Sequence, residues 1–370
     1  MSIQKLPRFF FVLFIFGFFA YPSPAQRAAK QAATGKLVEI KVPAPSLKGN
    51  FLGDGVEQNI AVYLPPSYGF APTKRYPVVY LLHGYGGSNR SWTQEGVGYG
   101  NIALVLDGLI NSRQAREMIV VAPNGKNAFG GSMYLNSATT GNWEDYIFRD
   151  VVAYIDANYR TLARPASRGI AGHSMGGFGA ISVGMKHPDV FSAIYALSPC
   201  CLQLEGEFDA RNEGWRRIGK ITALDQLPKR LQFGDADFWT IVIAALSAAI
   251  APNVSRPPFY ADFLYQEKDG KLILNEAVSA KYKAITPTLM VNDYKQNLLA
   301  MRGIFLDVGQ NEEFFVVRNG TTLFSKVLAE GGIPHTFEIY AGGKHSDKIK
   351  ERLQMRVFKF FSEKLDFSEQ

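Results

Sequence analysis

The stretch Gly169–Ala180, "GIAGHSMGGFGA", decides how the rest of this 370-residue chain is read. Ser174 stands between Gly172 and Gly176 in the pattern G-x-S-x-G, after a short apolar run and before an apolar helical one. The pattern describes a very tight strand-to-helix turn. Its serine takes an unfavourable backbone conformation, while the flanking glycines keep side chains off the neighbouring strand and helix. Such a turn lifts a hydroxyl clear of a sheet. Five residues of this kind are weak alone, so the reading depends on a base, an orienting acid and an oxyanion hole elsewhere in the chain.

A serine hydroxyl is a poor nucleophile near neutral pH until a base takes its proton, and histidine titrates in the useful range. Of five histidines, His83 and His173 belong to glycine motifs at strand ends, His187 closes a helix and His335 opens a strand. His345, in "AGGKHSDK" after the last strand, is placed where a loop can bring its imidazole over the serine. The acid that orients this base is expected between the serine and the histidine in chain order. "IFLDVGQNEEFF" (304–315) offers Asp307, Glu312 and Glu313. Glu312, just past the Gly309 turn, has the room to reach inward and is favoured; Asp307 and Glu313 stay open. "YLLHGYGG" (80–87) runs from a buried strand into a glycine loop, so the N–H groups of Tyr85 and Met175 are the expected oxyanion donors.

Around these motifs, short apolar runs alternate with helical patterns. "LVEIKV" and "NIAVYLPP" read as an antiparallel start, and "YPVVYLLHG" and "EMIVVAP" as buried strands. In "WEDYIFRDVVAYIDANY" the residues Trp143, Ile147, Val151 and Ile155 share a helix face. The alternation predicts an α/β fold, a mostly parallel central sheet flanked by helices. Residues 202–299 break it. Rich in aromatics and helical patterns and without a clear strand-helix unit, they read as a largely helical cap inserted into a core of residues 37–201 and 300–370. "FWTIVIAALSAAIA" (238–251) is too short to span a membrane and is expected as a buried cap helix.

Residues 1–25 read as a signal peptide: Lys5 and Arg8, the apolar run "FFFVLFIFGFFA", then Ser23 and Ala25 at the small positions before a cut near Ala25. Residues 26–36 read as a linker. The implied localisation is secreted or periplasmic, with no stable membrane span after cleavage. Removing Lys5 and Arg8 lowers the formal charge of +7 by two. No Lys/Arg cluster remains that would select nucleic acid. Cys200 and Cys201, the two cysteines, are adjacent; a vicinal disulfide and two buried thiols are both open readings.

The segments "YPVVYLLHGYGGSNRSW", "GNWEDYIFRDVVAYIDANYRT", "GIAGHSMGGFGAI", "DVGQNEE" and "GGKHS" resemble the α/β-hydrolase esterases that include esterase D, the feruloyl esterases and the mycolyltransferases. The resemblance covers most of 50–200 and 300–365. It implies an α/β-hydrolase fold with Ser174 as nucleophile, His345 as base, Glu312 at the acid position, and Tyr85 and Met175 at the oxyanion hole. "GSMYLNS" (131–137) matches a loop lining the substrate cleft in that family. Tyr134 and Asn136, with Trp143 nearby, are therefore candidate substrate contacts. Glutamate at the acid position is the mycolyltransferase choice, whereas the other groups usually carry aspartate. The implied chemistry is a cofactor- and metal-independent serine esterase acting on a small-molecule or glycan ester. Acyl transfer to a sugar hydroxyl is the alternative, and a non-catalytic secreted binding protein a third. Oligomeric state is left open.

Overall fold

Runs such as VVYLL (β3, Val78–Leu82) and IVVAP (β4, Ile119–Pro123) lack polar alternation, and both are strands buried on each face. That is the signature of a parallel sheet covered by helices on both sides. The computed structural model describes residue 1 and residues 33–95, 99–228 and 234–369. Residues 2–25 of the expected signal peptide and 26–32 of the linker lie outside the described residues.

The chain opens with the antiparallel pair β1 (Lys36–Pro43) and β2 (Glu57–Leu64). After β3 and β4 come β5 (Arg168–His173), β6 (Ala193–Leu197), β7 (Gly303–Gly309) and β8 (Thr336–Tyr340). They form one eight-stranded sheet in the order β1-β2-β4-β3-β5-β6-β7-β8. From β4 to β8 every neighbour is parallel. This is the α/β-hydrolase arrangement. Register places Leu82 beside Gly172, and Leu197 beside both His173 and Asp307. The loops after β3, β5, β6, β7 and β8 therefore all leave from the same edge.

Two apolar layers pack the sheet. Helix α1 (Ile102–Asn111) and the C-terminal helical run Ile349–Lys364 cover one face with Leu106, Leu353, Phe358 and Phe361. On the other lie α2 (Trp143–Asn158, with a π-helical middle at Tyr146–Val151), α3 (Met175–Lys186) and, later in the chain, Phe315–Glu330. Their buried Trp143, Ile155, Phe178 and Phe324 join one continuous cluster.

Between β6 and β7 runs the inserted segment. Its main element is α4 (Ala236–Ile250), started by Asp235, whose carboxylate accepts the Phe238 N–H at 2.7 Å. The later helix Phe315–Glu330 is α5. Nearly every residue of α4 from Phe238 onward is buried, which explains its unbroken apolar sequence. No helix among the described residues is long and apolar enough to cross a membrane. The segment is not wholly helical: Tyr265–Lys268 and Lys271–Leu274 pair as a hairpin. Its turn is Asp269-Gly270, both with positive φ (51° and 73°), the conformation that an Asp-Gly pair favours. The strands escaped the sequence reading because their side chains are largely exposed and carry no apolar face.

Candidate active site

Ser174 sits at φ 55°, ψ −116°, between the end of β5 and the first turn of α3. Non-glycine residues rarely hold that conformation, and here the surroundings impose it. The Ser174 N–H donates to Leu197 O at 2.9 Å, and its own carbonyl accepts from Phe178 and Cys200 at 3.0 and 3.1 Å. Glycine is obligatory on either side. A Cβ on Gly172 would come 2.2 Å from Gly176 O, and one on Gly176 2.2 Å from Leu82 O.

The Ser174 hydroxyl lies 2.9 Å from His345 Nε2, and His345 Nδ1 lies 2.9 Å from Glu312 Oε2. An ionised carboxylate only accepts, so Nδ1–H donates to Glu312 and Nε2 is left to accept the serine proton. Glu312 and His345 are 7% and 6% exposed, so water competes little for these bonds. The other carboxylates have different partners. Glu313 accepts the His345 backbone N–H at 2.9 Å. Asp307 is fully buried, accepting from Tyr195 Oη at 2.7 Å and Arg352 Nε at 2.9 Å. Burial pushes its carboxyl up to about 6 against the pull of Arg352. Arg352 reaches on to Glu338, whose carboxyl is held down to about 2 by hydrogen bonds from Arg352 and Arg356.

Among the described residues, the backbone N–H groups of Tyr85 and Met175 find no protein acceptor. Met175 opens α3, where first-turn amides are free and the helix dipole favours negative charge. Tyr85 is fixed through its side chain, which hydrogen-bonds to Phe129 O, while the next N–H, of Gly86, donates to Gly130 O at 3.0 Å. His83, under this loop, accepts the Gly125 N–H on Nε2, and burial draws its pKa down to about 4.

The cleft over Ser174 is apolar. Phe208, Phe238, Trp239 and Val242 come from the inserted segment, Phe314, Val316 and Val317 from the start of α5, and Met133 from the loop before α2. Cys200 and Cys201, paired as a vicinal disulfide, are part of the same wall. Phe314 packs edge-on against the His345 ring at 4.9 Å. Among the described residues, no Asp, Glu, Lys or Arg lines the cleft.

The three candidate substrate contacts lie elsewhere. Tyr134 is fully buried, its hydroxyl donating to His83 O at 3.0 Å. Trp143 is fully buried, with Nε1–H on Thr140 O at 2.7 Å. Asn136 is exposed and binds Asp145, lining a separate groove with Glu144, Lys186 and His187. The first two side chains prop the loop's framework, leaving its cleft-facing position to Met133. The aromatic walls from 202–299 were missed because Phe238 and Val242 on a buried helix give the same pattern whether they face core or cleft. Phe314 did carry a signal, following directly on Glu312 and Glu313.

The family model described as "Putative esterase" matches residues 55–353. The chain belongs to that esterase family. An endo-1,4-beta-xylanase/feruloyl esterase of Xylanibacter ruminicola is 32% identical over 143 residues, 37% of this chain and 19% of that one. An esterase of Mycobacterium tuberculosis is 30% identical over 143 residues, 38% of this chain and 28% of its own. The chain thus spans less than a third of the length of these relatives. Among solved structures, a ferulic acid esterase superposes with TM-score 0.58 at 22% identity, covering 89% of this chain and 99% of the other. An S-formylglutathione hydrolase of Agrobacterium tumefaciens gives TM-score 0.58 at 19% identity, covering 90% and 97%. At these identities the superpositions speak for the fold.

Proposed function

We propose that this protein is an exported serine esterase that cleaves uncharged carboxylic esters through an acyl-enzyme on Ser174. The observation that carries the reading is the hydrogen-bonded series Ser174–His345–Glu312, with both links at 2.9 Å. His345 Nε2 takes the hydroxyl proton as Ser174 Oγ attacks the ester carbonyl. Glu312 holds the ring in the required tautomer and stabilises the imidazolium. The amides of Tyr85 and Met175 receive the oxyanion, each donor of this kind being worth ~3 kcal/mol of transition-state stabilisation. His345 then returns the proton to the leaving alkoxide, and water, deprotonated by the same imidazole, releases the acid. The apolar, charge-free cleft supports a neutral acyl group, because burying an unpaired charge there is costly.

The aromatic roof over Ser174 also suits acyl transfer, in which a sugar hydroxyl replaces water at the second step. The ratio of free acid to acylated sugar in the products separates the two outcomes. Export is carried by the leader, and N-terminal sequencing of protein from the medium or periplasm, starting at Gln26, is its check. Activity itself is tested with chromogenic esters on the parent and on Ser174→Ala. Loss of a serine nucleophile costs on the order of 10⁶-fold in kcat, so equal rates in both proteins would end the reading.

A further inference from the structure

His173, the second residue of the G-x-S-x-G pattern, has no part in the mechanism above, yet it is 2% exposed and both ring nitrogens are engaged. Its Nε2 lies 2.7 Å from the carbonyl oxygen of His345. A carbonyl only accepts, so Nε2 carries the hydrogen, and in the neutral ring Nδ1 is an acceptor. Nδ1 lies 3.0 Å from Tyr99 Oη, which therefore donates to it, and the same hydroxyl accepts the Gly84 N–H at 3.1 Å. The result is one directional run, Gly84 N–H to Tyr99 O–H to His173, and His173 Nε2–H to His345 O. Every donor has one acceptor. Bonds chained this way polarise one another and strengthen in a low-dielectric interior.

The two ends of this run are the two halves of the site. Gly84 precedes Tyr85, whose N–H is an oxyanion donor, and His345 is the base. The middle is closely packed: the Tyr99 ring lies against Trp92 and His173 with centroids 4.4 and 4.9 Å apart. Burial draws the His173 pKa well below its ordinary value, which keeps Nδ1 free to accept. Residue 84 fits because it has no side chain: a Cβ there would come 2.5 Å from Tyr99 Oη and 3.3 Å from Ser174 Cβ. From the opposite side Glu313 holds the His345 N–H, so the backbone of the base is gripped at both its amide and its carbonyl.

We propose that His173 and Tyr99 form a crossbar tying the oxyanion loop to the general-base loop, which makes them positioning residues for ester cleavage. The proposal rests on the serine-esterase reading. Neither side chain takes part in proton transfer. The crossbar fixes where His345 Nε2 and the Tyr85 N–H stand relative to Ser174 Oγ, and a displacement of ~1 Å at such a centre costs about 10²-fold in rate.

The test compares His173→Leu, His173→Gln and Tyr99→Phe with the parent in steady-state ester hydrolysis and thermal unfolding. Leucine removes both bonds. Glutamine keeps an amide N–H able to reach His345 O, and phenylalanine deletes one hydroxyl while leaving the ring. The expected result is a kcat about 10–100-fold lower in His173→Leu, with KM within about twofold, and recovery of most of that loss in His173→Gln. Tyr99→Phe is expected between the two. A purely structural role predicts reduced folded protein with normal kcat per folded active site, which would overturn the proposal, as would glutamine no better than leucine. Should His173→Leu not fold, the glutamine and phenylalanine variants decide: parental kcat in both overturns the crossbar. If Ser174→Ala matches the parent, the esterase reading itself has failed. If Ser174→Ala is inactive and the crossbar variants are unaffected, only the crossbar has.

Discussion

Asp307 and Glu312 belong to one strand and the loop that follows it, and both are buried, but their partners differ. Asp307 faces Tyr195 and the guanidinium of Arg352, groups that hold a fixed charge or none. Glu312 faces His345, a group whose charge changes during the proposed reaction. A carboxylate beside a permanent cation forms a structural tie between the sheet and the C-terminal helical run. One beside an imidazole orients a base. The chemistry of the partner separates them.

The sharpest way to break this comparison is to remove each carboxylate. Glu312→Ala is expected to lower kcat by on the order of 10⁴-fold, the cost of losing the orienting acid in a serine triad, with little change in melting temperature. Steady-state kinetics on a chromogenic ester gives the answer, and a loss under tenfold would move the acid elsewhere. Arg352→Ala should do the reverse. Stranding Asp307 without its cation costs about 3–5 kcal/mol of stability, read by urea unfolding, while kcat per folded molecule stays near that of the parent.

A finer distinction comes from pH. The Asp307 carboxyl is raised to about 6 in the folded protein. The native state therefore holds a proton that the unfolded chain, titrating near the ordinary aspartate value of 3.8, releases. This stability is fully present below the unfolded value and is lost as pH rises through about 6. Asp307→Asn lacks it, so the stability gap between parent and variant should widen as pH falls from 7.5 to 4, by up to about 3 kcal/mol. Urea unfolding of both proteins at several pH values checks this. Groups common to the two cancel, and a gap independent of pH would contradict the account. The smallest expected effect is at the cleft wall: Trp239→Ala should raise KM by about tenfold, from the lost apolar contact, with kcat largely kept. A fall in kcat at constant KM would place Trp239 nearer the reacting atoms.

The alternation of strands and helices was readable because a sheet covered on both faces needs uniformly apolar strands such as Val78–Leu82. Ser174, His345 and Glu312 were readable because glycines and chain order mark them, and the structure brings the three within hydrogen-bond reach. Tyr134, Asn136 and Trp143 show the limit. A loop can line a cleft while turning one chosen side chain inward, and sequence does not say that Met133 rather than Tyr134 faces the space. The hairpin at 265–274 was hidden because its exposed strands have no apolar face, so only Asp269-Gly270 signalled it. The role of Asp307 turned on Arg352, which lies 45 residues away in sequence and was invisible to any local reading.

Activation of Ser174 by His345 in a single assembled site underlies the proposed reaction. Labelling with a fluorophosphonate and peptide mass spectrometry tests it most directly. One phosphonyl group per molecule is expected, on the peptide containing Ser174, with labelling abolished in Ser174→Ala and slowed at least a hundredfold in His345→Ala. Labelling at another residue, or at an undiminished rate without His345, would contradict it.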